Sequence, residues 1–130
     1  MSAEQSKILV LIADDEENLL LLLKDNFEDH GFEVAIAKNG EEALRNSMLK
    51  KPNAIILDVE MPKMNGWQVC EKIRKNPDLK DVPIVILSAY AQPEDIKKGL
   101  AAGANKYMSK PFKMNELIQT IKGFVANTSS

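Results

Sequence analysis

The chain has 130 residues, 45% apolar and 28% charged, with a net charge of −2. That size suits one domain with a continuous core (7–125, with flexible ends at 1–6 and 127–130). The mixed charge offers no global field toward nucleic acid or an anionic membrane. One cysteine and one histidine exclude an internal disulfide and a structural zinc site. The opening residues lack a signal-peptide core, and no apolar run approaches the roughly 20 residues that cross a bilayer, so a cytoplasmic location is expected.

Lys7–Ala13 is apolar from Ile8 onward with no polar alternation, as a strand covered on both faces would be. A helix follows over about Glu16–Asp29, with Leu19, Leu20, Leu23 and Phe27 on one face and Gly31 as its stop. At 100° per residue, Leu21 and Leu22 are left pointing outward. Glu33–Ala37 is shorter and partly alternating, so it is predicted as an edge strand. Asn39 and Gly40 open a second helix marked by Ala43, Leu44 and Met48. Asn53–Leu57 repeats the buried-strand pattern, and Gly66, Val69, Cys70 and Ile73 give a third helix ended by Asn76 and Pro77. Val82–Leu87 is a further buried strand. Ile96 and Leu100 define a short helix closed by Gly103, Lys106–Ser109 is the opposite edge strand, and Met114, Leu117, Ile118, Ile121 and Val125 mark the last helix. Five alternations of strand and helix call for an α/β fold, a parallel sheet with helices on both faces.

In such a sheet ligands bind beyond the carboxyl ends of the strands. Asp14, Asp15, Asp58, Ser88 and Lys110 all follow strand ends, so four loops deliver acids, a hydroxyl and an ammonium to one edge. Two carboxylates ~4 Å apart repel by roughly 4 kcal/mol at an effective dielectric of 20. Three of them ask for a divalent cation, and hard oxygen donors open to solvent suit Mg²⁺. Lys110 adds a point charge suited to phosphate.

The set formed by Asp14 and Asp15, the segment from Asp58 through Met61 and Pro62 to Gly66, Ser88 with Ala89, and Lys110 through Phe112 resembles the receiver domain of two-component response regulators. The match runs from Lys7 to about Val125, and in length the chain is similar to stand-alone receivers of the chemotaxis type. The resemblance implies a flavodoxin-like strand order 2-1-3-4-5. It also implies that Asp58 accepts a phosphoryl group from a histidine kinase, a phosphotransfer protein or a small acyl phosphate. Asp15, Asp58 and the backbone carbonyl of Glu60 would bind Mg²⁺, with Asp14 acting through water, while Ser88 and Lys110 would bind phosphoryl oxygens. Ser88 and Tyr107 would form the switch that remodels the surface of the fourth helix, fifth strand and fifth helix, and a cis peptide is expected before Pro111. Glu60 and Tyr90 would flank the route of an attacking water. The only reaction implied is the domain's own aspartyl phosphorylation and dephosphorylation, in a monomer or a weak phosphorylation-dependent dimer. Similar receivers present the first helix to the phosphodonor, which gives Leu21 and Leu22 a candidate docking role.

Each residue alone has a plainer reading. Asp14 and Asp15 could cap the first helix, Tyr107 could be an edge aromatic, and Cys70 reads as inert core. His30 reads as a solvated helix-end residue, and Trp67 as packing near the site. A Mg²⁺-dependent phosphohydrolase working through an aspartyl phosphate is the main rival, but its Asp-x-Asp pair after the first strand is not matched by Asp14 and Asp15. No glycine-rich phosphate loop supports a nucleotide or flavin module.

Overall fold

Apolar segments with few polar interruptions give five parallel strands: β1 (Leu9–Ala13), β2 (Glu33–Ala37), β3 (Ala54–Leu57), β4 (Ile84–Ser88) and β5 (Lys106–Ser109). They pair in the order β2-β1-β3-β4-β5, a flavodoxin-like arrangement with β2 and β5 at the edges. The connecting helices are α1 (Glu17–Asp29), α2 (Gly40–Lys50), α3 (Gly66–Arg74), α4 (Pro93–Ala101) and α5 (Met114–Thr128). This computed structural model describes residues 7–128. The ends expected to be flexible, 1–6 and 129–130, lie outside the described residues.

Alternate residues of the central strands feed two cores. Leu11, Ile55, Leu57, Ile84 and Ile86 face α2 and α3, joined by Val69, Cys70 and Ile73. Val10, Ile12, Ile56, Val85 and Leu87 face α1 and α5, joined by Leu20, Leu23, Phe27, Leu117 and Ile121. Burying each large aliphatic side chain contributes roughly 1.5–3 kcal/mol, which is why these strands read as unbroken apolar runs. The outward placement of Leu21 (45% exposed) and Leu22 (52%) agrees with the helical arithmetic.

Three helical details differ from the periodicity. Met48 is exposed, and Ser47 takes the inward position because its hydroxyl donates to the Ala43 carbonyl at 2.7 Å, which satisfies it in the core. Leu100 is also exposed, while Gly99 turns inward. Asn127 and Thr128 continue α5 instead of forming a tail.

The register sets the site. Ala13 pairs with Leu57, and Ser88 pairs with Ser109. The ladder extends one residue past each strand: Asp14 N–H donates to the Ala37 carbonyl, Asp58 N–H to that of Ala13, and Lys110 N–H to that of Ser88. The three charged residues therefore leave the sheet at one level on fixed backbones. Ser88 itself closes β4 where the sequence places it just beyond, a one-residue difference of the kind strand ends allow.

Candidate functional site

The strand ends open into a cleft of about 780 Å³ walled by Asp14, Asp15, Asp58, Glu60, Trp67, Tyr90 and Lys110, among others. Its floor is held by close backbone packing. A side chain on Gly66 would bring Cβ to 2.2 Å from the Asp58 carbonyl oxygen, so only glycine lets α3 begin this near the acid. Gly66 N–H closes the loop on the Val59 carbonyl at 2.9 Å. Asn65 and Gln68 then cap α3 reciprocally, at 2.9 and 3.0 Å.

Carboxylate oxygens of Asp14, Asp15 and Asp58 lie within 4.8 Å of one another. Asp14 is buried with both oxygens engaged: Oδ1 accepts the Glu16 N–H at 2.9 Å and Oδ2 accepts the Lys110 ammonium at 2.9 Å. Asp14 thus braces the approach to α1, but the helix has no side-chain cap, so the capping alternative is not realised. Asp15 is exposed and Asp58 buried, with the Lys110 ammonium 3.6 Å from Asp58 Oδ2. One ammonium against three carboxylates leaves an acidic corner of hard oxygens, which fits a divalent cation.

The electrostatics carry the same signature. Burial and then the Asp14 charge push the Asp58 carboxyl up to about 6, although Lys110 and the Val59 N–H pull the other way. For Lys110, burial favours the neutral amine, but the Asp14 hydrogen bond and the Asp58 and Asp14 charges outweigh it, so its pKa is raised. The Lys110-Pro111 peptide is cis, as expected from the resemblance.

Ser88 and Tyr107 sit behind the wall. Ser88 is buried and its Oγ accepts the Tyr90 N–H at 2.9 Å, which leaves the hydroxyl proton able to donate. The Tyr107 hydroxyl donates to the Tyr90 carbonyl, and the Tyr90 hydroxyl donates to Oε2 of Glu60 across the cleft mouth. Tyr90 thus joins the loops after β3 and β4 to β5. The sequence marks Glu60 and Tyr90 as flanking residues, but a bond between positions 30 apart leaves no periodic trace. The Tyr107 ring lies against Gly99, where a Cβ would stand 2.7 Å from two ring carbons. Trp67 lines the cleft with the Lys98 ammonium 4.5 Å from its ring centroid, and its buried indole N–H has no acceptor among the described residues. Cys70 is inert core, its thiol pushed up to about 11 by burial. His30 is exposed at the end of α1, Nδ1 2.8 Å from the Asn26 carbonyl oxygen.

With this geometry in view, the family "Response regulator receiver domain" matches residues 10–122. The chain belongs to that family. The receiver is 39% identical to the alkaline phosphatase synthesis transcriptional regulatory protein PhoP of Bacillus subtilis, over 89% of this chain and 48% of that protein. It is also 39% identical to the transcriptional regulatory protein PrrA of Mycobacterium tuberculosis, over 93% of this chain and 51% of PrrA. The chain spans about half the length of the curated relatives it matches. Among solved structures, the chemotaxis response regulator CheY4 of Vibrio cholerae matches with a TM-score of 0.86 and 31% identity, over 92% of this chain and 99% of that one. The receiver domain of the sensor histidine kinase PA1611 from Pseudomonas aeruginosa, solved with magnesium in its active-site cleft, matches with a TM-score of 0.86 and 26% identity, over 93% of this chain and 99% of that one. No helix of the described residues is long and apolar enough to cross a membrane.

Proposed function

We propose that the receiver is a phosphorelay switch, with residues 7–125 as its single working domain and Asp58 as its phosphoryl acceptor. The observation that carries this reading is the placement of Lys110 between Asp14 and Asp58 in an acidic cleft open to solvent. An Asp58 carboxylate oxygen attacks the phosphorus of a phosphohistidine, on a histidine kinase or phosphotransfer protein, or of a small acyl phosphate. The bond from phosphorus to the donor breaks as the aspartyl phosphate forms. Since its pKa stands at about 6, Asp58 is mostly ionised at neutral pH and needs no separate base.

The donor set fits Mg²⁺: Asp15, Asp58 and the Glu60 carbonyl would hold it directly, and Asp14 through water. When bound, the ion supplies the positive charge that offsets the carboxylates and the phosphoryl oxygens. Lys110 holds one phosphoryl oxygen and the Ser88 hydroxyl donates to another. That demand draws on the Ser88–Tyr90 contact, and through Tyr90 it reaches Tyr107 and the surface of α4, β5 and α5. The domain's own chemistry is confined to gaining and losing this phosphoryl group. The reading takes it as cytoplasmic, a monomer or weak phosphorylation-dependent dimer, with no nucleic-acid contact of its own. Leu21 and Leu22 are offered to the phosphodonor.

Incubation with Mg²⁺ and acetyl phosphate should add one phosphoryl mass, lost in Asp58→Ala and kept in Asp78→Ala. Addition to Asp58→Ala at the wild-type level would overturn the assignment.

A further inference from the structure

Trp67 carries a polar group into the cleft wall that the phosphoryl chemistry leaves unused. It follows Gly66, which packs directly on the Asp58 carbonyl, so the ring is anchored beside the phosphoryl acceptor. The ring lines the cleft, yet its indole N–H is buried without an acceptor among the described residues. A buried donor left unpaired is costly, and in a switch it points to a second state in which it is paired.

The surroundings name the acceptor. Trp67 and Tyr107 pack against the same core, the one that faces α2 and α3. Consecutive residues of α4 touch both rings: the Lys98 ammonium stands 4.5 Å from the Trp67 centroid, and Gly99 lies against the Tyr107 ring. The Tyr107 hydroxyl donates its proton to the Tyr90 carbonyl, so its oxygen keeps lone pairs for other donors. Two donors bear on that oxygen. Burial raises the Tyr107 pKa, while the Ser88 hydroxyl and the Trp67 N–H pull it down.

We infer that Trp67 is a positioning residue of the switch: its indole N–H closes on the Tyr107 hydroxyl oxygen when the Ser88 proton is drawn to a phosphoryl oxygen on Asp58. The inference rests on the switch reading above, to which it adds the residue that holds Tyr107 in the phosphorylated state. One donor replaces another. The tyrosine oxygen keeps a hydrogen bond, and the buried indole gains the partner it lacks. Lys98 ties the ring to α4 through its cation over the ring face, so the same movement is carried into that helix.

The chain has one tryptophan, so ¹⁵N labelling gives one indole cross-peak to follow. The full chain is titrated, in Mg²⁺, with beryllium trifluoride, a tetrahedral stand-in for the phosphoryl group. At saturation the indole proton should move downfield, and its exchange with solvent should slow about tenfold or more. Tyr107→Phe keeps the ring but removes the acceptor, and should abolish both changes. Trp67→Phe keeps an aromatic ring without the N–H, and should bind the probe about three- to tenfold more weakly. The inference is overturned by an indole peak that stays in place at saturation, by the same shift in Tyr107→Phe, or by undiminished probe affinity in Trp67→Phe. Acetyl phosphate labelling run alongside separates the two readings. Mass added at Asp58 with a stationary indole peak sinks this inference alone, whereas no mass added to the wild type sinks the switch reading and this inference with it.

Discussion

The acidic corner and the α4 edge are both needed for switching, yet they are built in opposite ways. Asp14 and Asp58 ride on backbones locked into the sheet ladder above strands that are buried on both sides, and Lys110 joins them from the ladder of the edge strand β5. α4 presents mostly exposed residues, buries a glycine, and sets that glycine against the Tyr107 ring and Ile86 of the sheet. A rigid corner keeps charges close enough to repel one another, and a lightly held helix can respond when that repulsion changes. Low local stability is the expected property of elements that move.

The contrast is broken most forcefully by truncation. Ile56→Ala, at the centre of the sheet, should cost about 2–5 kcal/mol in chemical denaturation, whereas Leu100→Ala on α4 should fall within about 0.5 kcal/mol of wild type. Equal losses would mean that α4 is as firmly held as the sheet.

The charge crowding in the corner has a pH signature. Folding raises the Asp58 pKa from 3.8 to about 6, so the native state holds this proton more tightly than the unfolded chain. That contribution is fully present below about pH 4 and is lost as pH rises through 6. Without metal at pH 8, Asp58→Asn should therefore raise stability by about 1–3 kcal/mol, and the gain should vanish below pH 4. A gain that persists at low pH would assign the effect to packing instead of charge.

On the other side, Gly99→Val should cost about 1–3 kcal/mol, because its side chain meets the Tyr107 ring and Ile86. Tyr107→Ala in the same background should recover part of that loss. If it recovers none, the ring is not what confines position 99.

These two regions also divide what could be read from the sequence. Ile8–Ala13 and Ala54–Leu57 have no polar residue to break them, so strands buried on both faces, and the acids just beyond them, were legible. The same pattern gave the parallel sheet, while the strand order came from the resemblance. α4 was misread because periodicity assigns inward positions to apolar side chains, and here the close approach of Tyr107 leaves room only for Gly99, sending Leu100 outward. Ser47 in place of Met48 escaped for a related reason: a hydroxyl satisfied by its own helix counts as polar in a pattern but not in a core. The Tyr90 bridge to Glu60 and Tyr107 depends on three loops meeting in space, which no local spacing encodes.

Everything assigned to the cleft depends on its carboxylates being crowded enough to take up a cation. The direct measurement is a Mg²⁺ titration at pH 8, read by calorimetry and by Trp67 emission from the cleft wall. One saturable site is expected in the wild type, weakened at least about tenfold in Asp15→Asn. Undiminished binding in Asp15→Asn, or none in the wild type, would contradict it.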